Sequence, residues 1–382
     1  MSGSSNKKSG KSGRKVRVPF RRNRAKPPRV SDWTRRLRES EDSDLDDRRS
    51  ESVVAKGDLS RKRTITIYED GAASADLHAG MVIAMRGLYA EVDDGERIWT
   101  VTIRRVLRTR LIKERHPVIV GDRVHFRVEA GPEGVKRQGV IESVEPRKGQ
   151  LRRKSGRRIH TIVANVDQVI IVGSAAEPSP KPHLIDRYIA AAHAGDITPV
   201  ICMNKIDLDT GEQVGLLLEL YAGLGYTTLR TSVITGDNIH ELREALRDKS
   251  SVIVGQSGVG KSSLLNAVQP GLKLRVGNVI EQTQKGRHTT TTASLIRLLT
   301  GGYVVDTPGI RAFDSSLIPP HELEAHFVEF APRVAQCKFP DCTHTHEIQC
   351  AIKAAVERGD IHLQRYETYL QMFEESSAEQ HG

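Results

Sequence analysis

Between residues 76 and 146 apolar and polar positions alternate in short runs: MVIAMRGLYAEV (81–92), RIWTVTIRRV (97–106), VIVGDRVHFRV (118–128) and GVIESVEP (139–146). A period of two over segments this short predicts strands, and DDGE, the VGD before Arg123, and GPEG are turn signals between them. Four or five strands with no helical period among them predict a small closed or nearly closed β-barrel, most economically an OB-fold. Barrels of this size with basic strands commonly bind single-stranded or structured RNA; the competing reading is a structural β-domain without a ligand.

The rhythm changes beyond the basic stretch QLRRKSGRRIH (150–160), which reads as a linker adding to an RNA-facing surface. From residue 162 to 306 strand-like and helix-like segments alternate: DQVIIV, LIDRYIAAAHA, TPVICMNK, EQVGLLLELYAGL, TTLRTS, NIHELREAL, SVIVG, then a helix opening at Lys261. Such alternation predicts a parallel sheet with helices on both faces. After Pro319 the chain reads as helical around a cysteine and histidine cluster, with AIKAAVERGDIHLQRYETYLQMFEE forming two helices and the last dozen residues fraying.

Charge separates the first 75 residues from the rest. The chain of 382 residues, long enough for two or three domains, carries a net charge of +10. Residues 1–38 hold fourteen lysines and arginines against the single acid Asp32, and ESEDSDLDD (39–47) then reverses the sign. So few apolar residues cannot offset the ordering entropy, so residues 1–75 read as a largely disordered extension. A basic arm of this kind contacts nucleic acid nonspecifically, solubilises, or folds back on its own acidic run. No run of about 18 apolar residues crosses a membrane, and no apolar stretch follows the basic N-terminus as a secretory signal requires. Four cysteines, three of them within fourteen residues, fit a metal site in a reducing cytoplasm.

Gly255, Gln256, Ser257, Gly258, Val259, Gly260, Lys261 and Ser262 match G-x-x-x-x-G-K-[ST], with an apolar strand before and a helix after, and Ser263 is a further candidate for nucleotide contact. The glycines let backbone N–H groups turn towards phosphates, and the helix N-terminus adds positive potential. Lys261 is expected to reach the β and γ phosphates and the Ser262 hydroxyl to ligate Mg²⁺. Asn204, Lys205 and Asp207, after the apolar run PVICM, decide the base. A carboxylate there accepts from guanine N1–H and the exocyclic amine, a pair adenine does not offer, so GTP is the expected nucleotide. Ser232 in RTSV is the expected support for the same base. Asp306 and Gly309 in YVVDTPGI are expected to hold Mg²⁺ through water and to sense the γ-phosphate. KGRHTTTT (285–292) reads as the first switch, with Thr289 or Thr290 touching Mg²⁺ and the γ-phosphate.

Cys337, Cys342, His344 and Cys350 form C-x4-C-x-H-x5-C, a closed tetrahedral set typical of structural Zn²⁺, with His346 as an alternative ligand. Cys202 reads as a core residue. Lys353, Arg358 and Arg365 are either rRNA contacts or an ordinary solvated helix face.

These elements run in an unusual order: NKID, TS, phosphate loop, threonine loop, DTPG. In a Ras-like GTPase the first two come last, so the domain is circularly permuted. With GLYAEV, VGDRV, IVANVDQVIIV, LIDRYI, GQSGVGKSSLLNA, KGRHTTT and DTPGIR, the chain resembles the ribosome-small-subunit-dependent GTPase family, RsgA or YjeQ, over residues 77–373. EIQC stands where that family's metal loop has EPGC, which alters turn residues and leaves the ligands. The resemblance, with the charged extension (1–75) outside it, gives five segments: that extension, an OB-fold RNA-binding barrel (76–150), the permuted GTPase domain (151–318), a mainly helical zinc domain (319–376) and a tail (377–382). It implies a cytoplasmic, monomeric GTP hydrolase with Mg²⁺ and one structural Zn²⁺, which binds the small ribosomal subunit and its rRNA late in assembly and is stimulated by it. Ile310 stands where Ras-like enzymes place a water-orienting glutamine, and the resemblance implies His288 in that role. The alternatives are a nucleotide-gated RNA-binding protein with a structural GTP site, and a P-loop kinase or ATPase.

Overall fold

The computed structural model describes residues 14–19, 62–67, 77–103, 117–129, 138–155, 158–272, 293–306 and 317–381. It divides into residues 1–75 and 76–382. In the first unit β1 (Arg14–Pro19) pairs antiparallel with β2 (Lys62–Ile67). The pair lies within a stretch whose composition reads as largely disordered. RKVRVP alternates basic residues with valine from Lys15 on, and KRTITI alternates threonine with isoleucine, β-branched types that suit strands.

The second unit begins with β3 (Leu77–Arg86), β4 (Tyr89–Asp93), β5 (Ile98–Ile103), β6 (Arg123–Glu129) and β7 (Gln138–Val144). Their order is β3-β4-β5-β7-β6, and β6 returns to β3, so the barrel is closed, with β5 and β7 its parallel pair. Alternate residues point inward to a core of Val82, Val92, Trp99, Val101, Phe126 and Ile141. The basic linker is itself a hairpin of β8 (Leu151–Ser155) and β9 (Arg158–Val163).

The central sheet contains β10 (Gln168–Ser174), β11 (Thr198–Asn204), β12 (Thr227–Arg230), β13 (Ser250–Val254), β14 (Ser294–Arg297) and β15 (Tyr303–Asp306). Their order is β12-β11-β10-β13-β15-β14, all parallel except β14. Both faces are buried, which explains the continuous apolar runs. On one side Ile171, Ile201 and Met203 pack with α1 (Pro182–Ala194) and α2 (Gln213–Gly223). On the other, Ile170, Val172, Val200 and Cys202 pack with α3 (Ile239–Leu246) and α4 (Lys261–Val268). Cys202 is thus a core residue, its thiol pushed up to about 11 by burial. Ser294 of β14 pairs with Ala84 of β3, so barrel and sheet form one eleven-stranded surface.

The C-terminal region comprises a 3-10 helix (Pro320–His326), α5 (Ala331–Val334), α6 (Ala351–Glu357) and α7 (Leu363–His381). Phe327, Phe330, Ile352, Tyr369 and Met372 form its core, which Ala190 of α1 joins. The expected frayed end is instead helix through His381, because no Gly or Pro interrupts residues 363–381 and Met372 and Ser376 are buried.

Candidate functional site

β10 lies between β11 and β13, because the chain builds outward from it first one way and then the other. The carboxyl ends of β11 and β13 therefore flank one crevice, the place where ligands bind on open parallel sheets. NKID leaves β11 there and the glycine loop leaves β13, although the first precedes the second by about fifty residues.

The two motifs are bonded together. Asn204 is buried and its Nδ2 donates to the carbonyl of Val259 at 2.8 Å. Gly260, at φ +92°, brings its backbone so close that an added Cβ would lie 2.4 Å from that same Nδ2. Gly255 has φ +141°, and a Cβ there would meet the Val172 carbonyl oxygen at 2.1 Å. Neither position admits a side chain without displacing the loop. Gln256, Ser257 and Gly258 complete its rim, while Val259 anchors it in the core and Ser262 and Ser263 lie exposed on the first turn of α4. Lys261 Nζ folds back on the carbonyls of Gly255 (2.9 Å) and Gln256 (2.6 Å), and burial lowers its pKa.

The base-side residues are each held by the protein itself. Asn204 is committed to the loop through its amide. Lys205, at φ +61°, donates from Nζ to the Glu177 carbonyl at 2.5 Å. Asp207 is exposed on the 3-10 turn Ile206–Leu208, so its carboxylate is solvated in this structure. Ser232 is buried; its hydroxyl donates to Asp207 Oδ1 and its backbone N–H to the Asp237 carbonyl at 3.1 Å. Ser232 thus hydrogen-bonds the side chain of Asp207, beside which the sequence places it. Asp306 ends β15, buried, on the same edge as the glycine loop, since β13 and β15 run parallel with Ser251 opposite Val304. His288, Thr289, Thr290, Gly309 and Ile310 lie outside the described residues.

A second cluster joins Cys337, Cys342, His344 and Cys350, whose ligand atoms all lie within 4.8 Å of one another. His344 Nδ1 is 3.6 Å from Cys337 Sγ and 3.4 Å from Cys350 Sγ, and those sulfurs are 4.0 Å apart. A tetrahedral Zn²⁺ with bonds of about 2.3 Å to sulfur and about 2.0–2.1 Å to nitrogen sets ligand edges of roughly 3.5–3.8 Å. The cluster fits such an ion. His344 Nε2 lies 2.7 Å from Glu324 Oε2, the carboxylate–imidazole pairing that orients a metal-binding histidine. Burial and the neighbouring thiols push Cys342 up to about 12. Thiols packed this closely ionise only when a cation compensates them. His346 is exposed and bonded to Thr345, outside the cluster. Gln349 in EIQC adopts φ +56°.

Of the three basic residues considered for rRNA, the structure removes one. Arg365 is buried, its guanidinium donating to Glu329 at 2.7 and 2.9 Å and to Asp186 of α1 at 2.8 Å. Tyr221 and Thr368 hydroxyls also donate to Asp186, at 2.7 and 2.9 Å. Burial alone would lower the Arg365 pKa, but the hydrogen bonds and charges of Glu329 and Asp186 raise it. The charge is therefore permanent. Sequence reasoning missed this knot, because its partners come from residues 186, 329 and 365. Lys353 donates to the carbonyls of Thr345 and Glu347, and Arg358 pairs with Asp360 on the surface.

A family model described as RsgA GTPase matches residues 144–316. A relative from Thermotoga maritima named "Small ribosomal subunit biogenesis GTPase RsgA" is 43% identical over 303 residues, 78% of this chain and 96% of the relative. One of the same name from Moorella thermoacetica is 43% identical, covering 76% of this chain and 94% of its own. The crystal structure of YjeQ from Thermotoga maritima superimposes with a TM-score of 0.64 at 39% identity, over 78% of this chain and 98% of its own. YloQ, described as a circularly permuted GTPase, gives 0.63 at 30% identity, over 80% and 97%.

Proposed function

The chain belongs to the RsgA GTPase family, and from that premise we propose that it hydrolyses GTP while bound to the small ribosomal subunit, assisting the subunit's late maturation. The observation that carries the reading is the bond from Asn204 to Val259: it fastens the guanine motif to the phosphate loop despite their inverted order.

Each nucleotide contact is part of the proposal. The loop's N–H groups cradle the phosphates, and Lys261 exchanges its two carbonyl partners for β and γ phosphate oxygens. Ser262 and Asp306 hold Mg²⁺, directly and through water, and the ion neutralises charge on the phosphates. Gly309 and Thr289 or Thr290 respond to the γ-phosphate, and His288 orients the attacking water. Asp207 accepts from guanine N1–H and the exocyclic amine, with Ser232 fixing its rotamer. Adenine would leave that carboxylate unpaired once the site closes, at a cost of about 1–3 kcal/mol or more.

The barrel's strand order supports the OB-fold reading, and its surface with the basic hairpin β8–β9 meets rRNA. Cys337, Cys342, His344 and Cys350 hold one structural Zn²⁺, leaving no ligand position for chemistry. Phosphate contacts make subunit affinity fall steeply with salt. Such a protein acts as a cytoplasmic monomer. The test is GTP hydrolysis by the purified chain alone and with small subunits, using large subunits and ATP as controls. Stimulation confined to GTP and the small subunit is expected; its absence with tight GTP binding would refute the proposal.

A further inference from the structure

The barrel touches the nucleotide domain at two joints of different make. At the first, the barrel's side is braced internally: Asp122 is buried and accepts from Arg147 Nε at 2.7 Å, Arg147 Nη2 at 3.0 Å and the Ile119 N–H at 2.8 Å. Asn165 Nδ2 donates to the Gly121 carbonyl at 2.7 Å, and the Ala164 N–H to Val120 at 3.0 Å. The backbones lie so close that a Cβ on Gly121 would come within 1.9 Å of the Ala164 carbonyl oxygen. Here backbone meets backbone at Gly121 and Ala164, braced by the side chains of Asp122, Arg147 and Asn165.

The second joint is made by side chains. Asp93, at the end of β4, is 4% exposed. Its Oδ1 accepts the Gly95 N–H at 2.9 Å from within the barrel and Arg297 Nη1 at 3.3 Å from β14. Its Oδ2 accepts the Tyr303 hydroxyl at 3.1 Å from β15. Arg297 and Tyr303 face each other across the β14–β15 hairpin, and one backbone pair, Ser294 with Ala84, runs alongside. Burial and the Asp93 charge push the Tyr303 phenol up to about 12, so it remains a donor at neutral pH. Arg297 is half exposed and free to re-hydrate. Three residues after Tyr303 the strand ends at Asp306.

We propose that Asp93 is a positioning residue for GTP hydrolysis, a barrel carboxylate that clasps the β14–β15 hairpin and so ties the end of β15 to whatever the barrel binds. Moving the hairpin strips a buried carboxylate of its outside donors, whereas the Gly121 joint holds the barrel's other side. The clasp therefore has a closed and an open arrangement with little between. Coupling of this kind is reciprocal: a polyanion on the barrel biases the nucleotide end, and the nucleotide biases the barrel. The identity of that polyanion as the small subunit rests on the function proposed above.

Trp99 reports on the clasp, because its Nε1 donates at 2.6 Å to Asp94, the neighbour of Asp93. In the full chain carrying Trp33→Phe it is the sole tryptophan. Its emission is compared with GDP and with a non-hydrolysable GTP analogue bound, alone and with Tyr303→Phe or Asp93→Asn added, and hydrolysis is measured with and without small subunits. The expected result is a nucleotide-dependent Trp99 change that Tyr303→Phe cuts to below about a third, with subunit-stimulated kcat lowered about tenfold and KM for GTP within about twofold. Should Asp93→Asn fail to fold, Tyr303→Phe, which removes one hydroxyl, still decides. An undiminished Trp99 response and stimulation in Tyr303→Phe overturns the proposal, as does a parent protein that binds GTP with no Trp99 response. A Trp99 response lost in Tyr303→Phe, in a protein no subunit stimulates, supports the clasp and overturns the partner instead.

Discussion

Replacing Arg365 by methionine removes the centre of a buried ionic knot while keeping the length of the side chain. Arg365 makes two hydrogen bonds to Glu329 and one to Asp186, and its guanidinium lies 4.7 Å from the Phe327 ring centroid. Asp186 would keep the Tyr221 and Thr368 hydroxyls, so the loss falls mainly on Glu329, whose side chain is 5% exposed. Removing one member of a buried ion pair costs about 3–5 kcal/mol, because the other is left charged and desolvated. At roughly 2–4 °C per kcal/mol for a unit of this size, Tm should fall by roughly 6–20 °C. Thermal unfolding of the full chain is the assay, with GTP affinity and zinc content measured below the transition. Adding Glu329→Gln to Arg365→Met should recover part of the loss, since it removes the orphaned charge. A Tm drop below about 2 °C with zinc and GTP binding intact, or strictly additive effects of the two substitutions, would refute the argument.

Four further outcomes are expected. Gly260→Ala forces a Cβ against Asn204 in a left-handed conformation; GTP affinity, followed with a fluorescent analogue, should fall by about 100-fold or more as the two motifs part, and unchanged affinity would show the clamp to be dispensable. Asp207→Asn should weaken GTP by about tenfold to a hundredfold and let other purine nucleotides compete, whereas undiminished discrimination against ATP would place base reading elsewhere. Gln349→Gly relieves a φ of +56° and should raise the Tm of the metal-loaded protein by an amount worth up to about 1 kcal/mol; stripping zinc, or Cys342→Ser, should instead unfold the C-terminal core while leaving nucleotide binding measurable.

The chemistry was legible along the chain because its parts are local. A glycine loop must be contiguous to turn its N–H groups inward, and a metal loop must be short to gather its ligands. Cys337, Cys342, His344 and Cys350 and the residues 255–262 therefore stand together both in sequence and in space. Period-two runs likewise marked the barrel strands. Two matters were not legible. Arg365 looked like a surface cation or an rRNA contact and is buried, because its partners Asp186 and Glu329 are distant in sequence; and the last helix looked frayed yet runs to His381, held by the burial of Met372 and Ser376.

By itself, then, the sequence determined the repertoire: a barrel, a permuted nucleotide fold, the NKID motif, a glycine loop and a cluster of three cysteines and a histidine, since each follows from residue type and short-range spacing. Only the tertiary structure decided how they act on one another. Placing β10 between β11 and β13 fastens Asn204 to Val259; folding α7 onto α1 buries Arg365 between Asp186 and Glu329; and pairing β3 with β14 sets Asp93 on the hairpin that ends at Asp306. Those contacts join residues 55, 179 and 210 positions apart. Hydrophobic periodicity cannot encode such pairings, because it specifies which face of an element is buried and not which partner covers it.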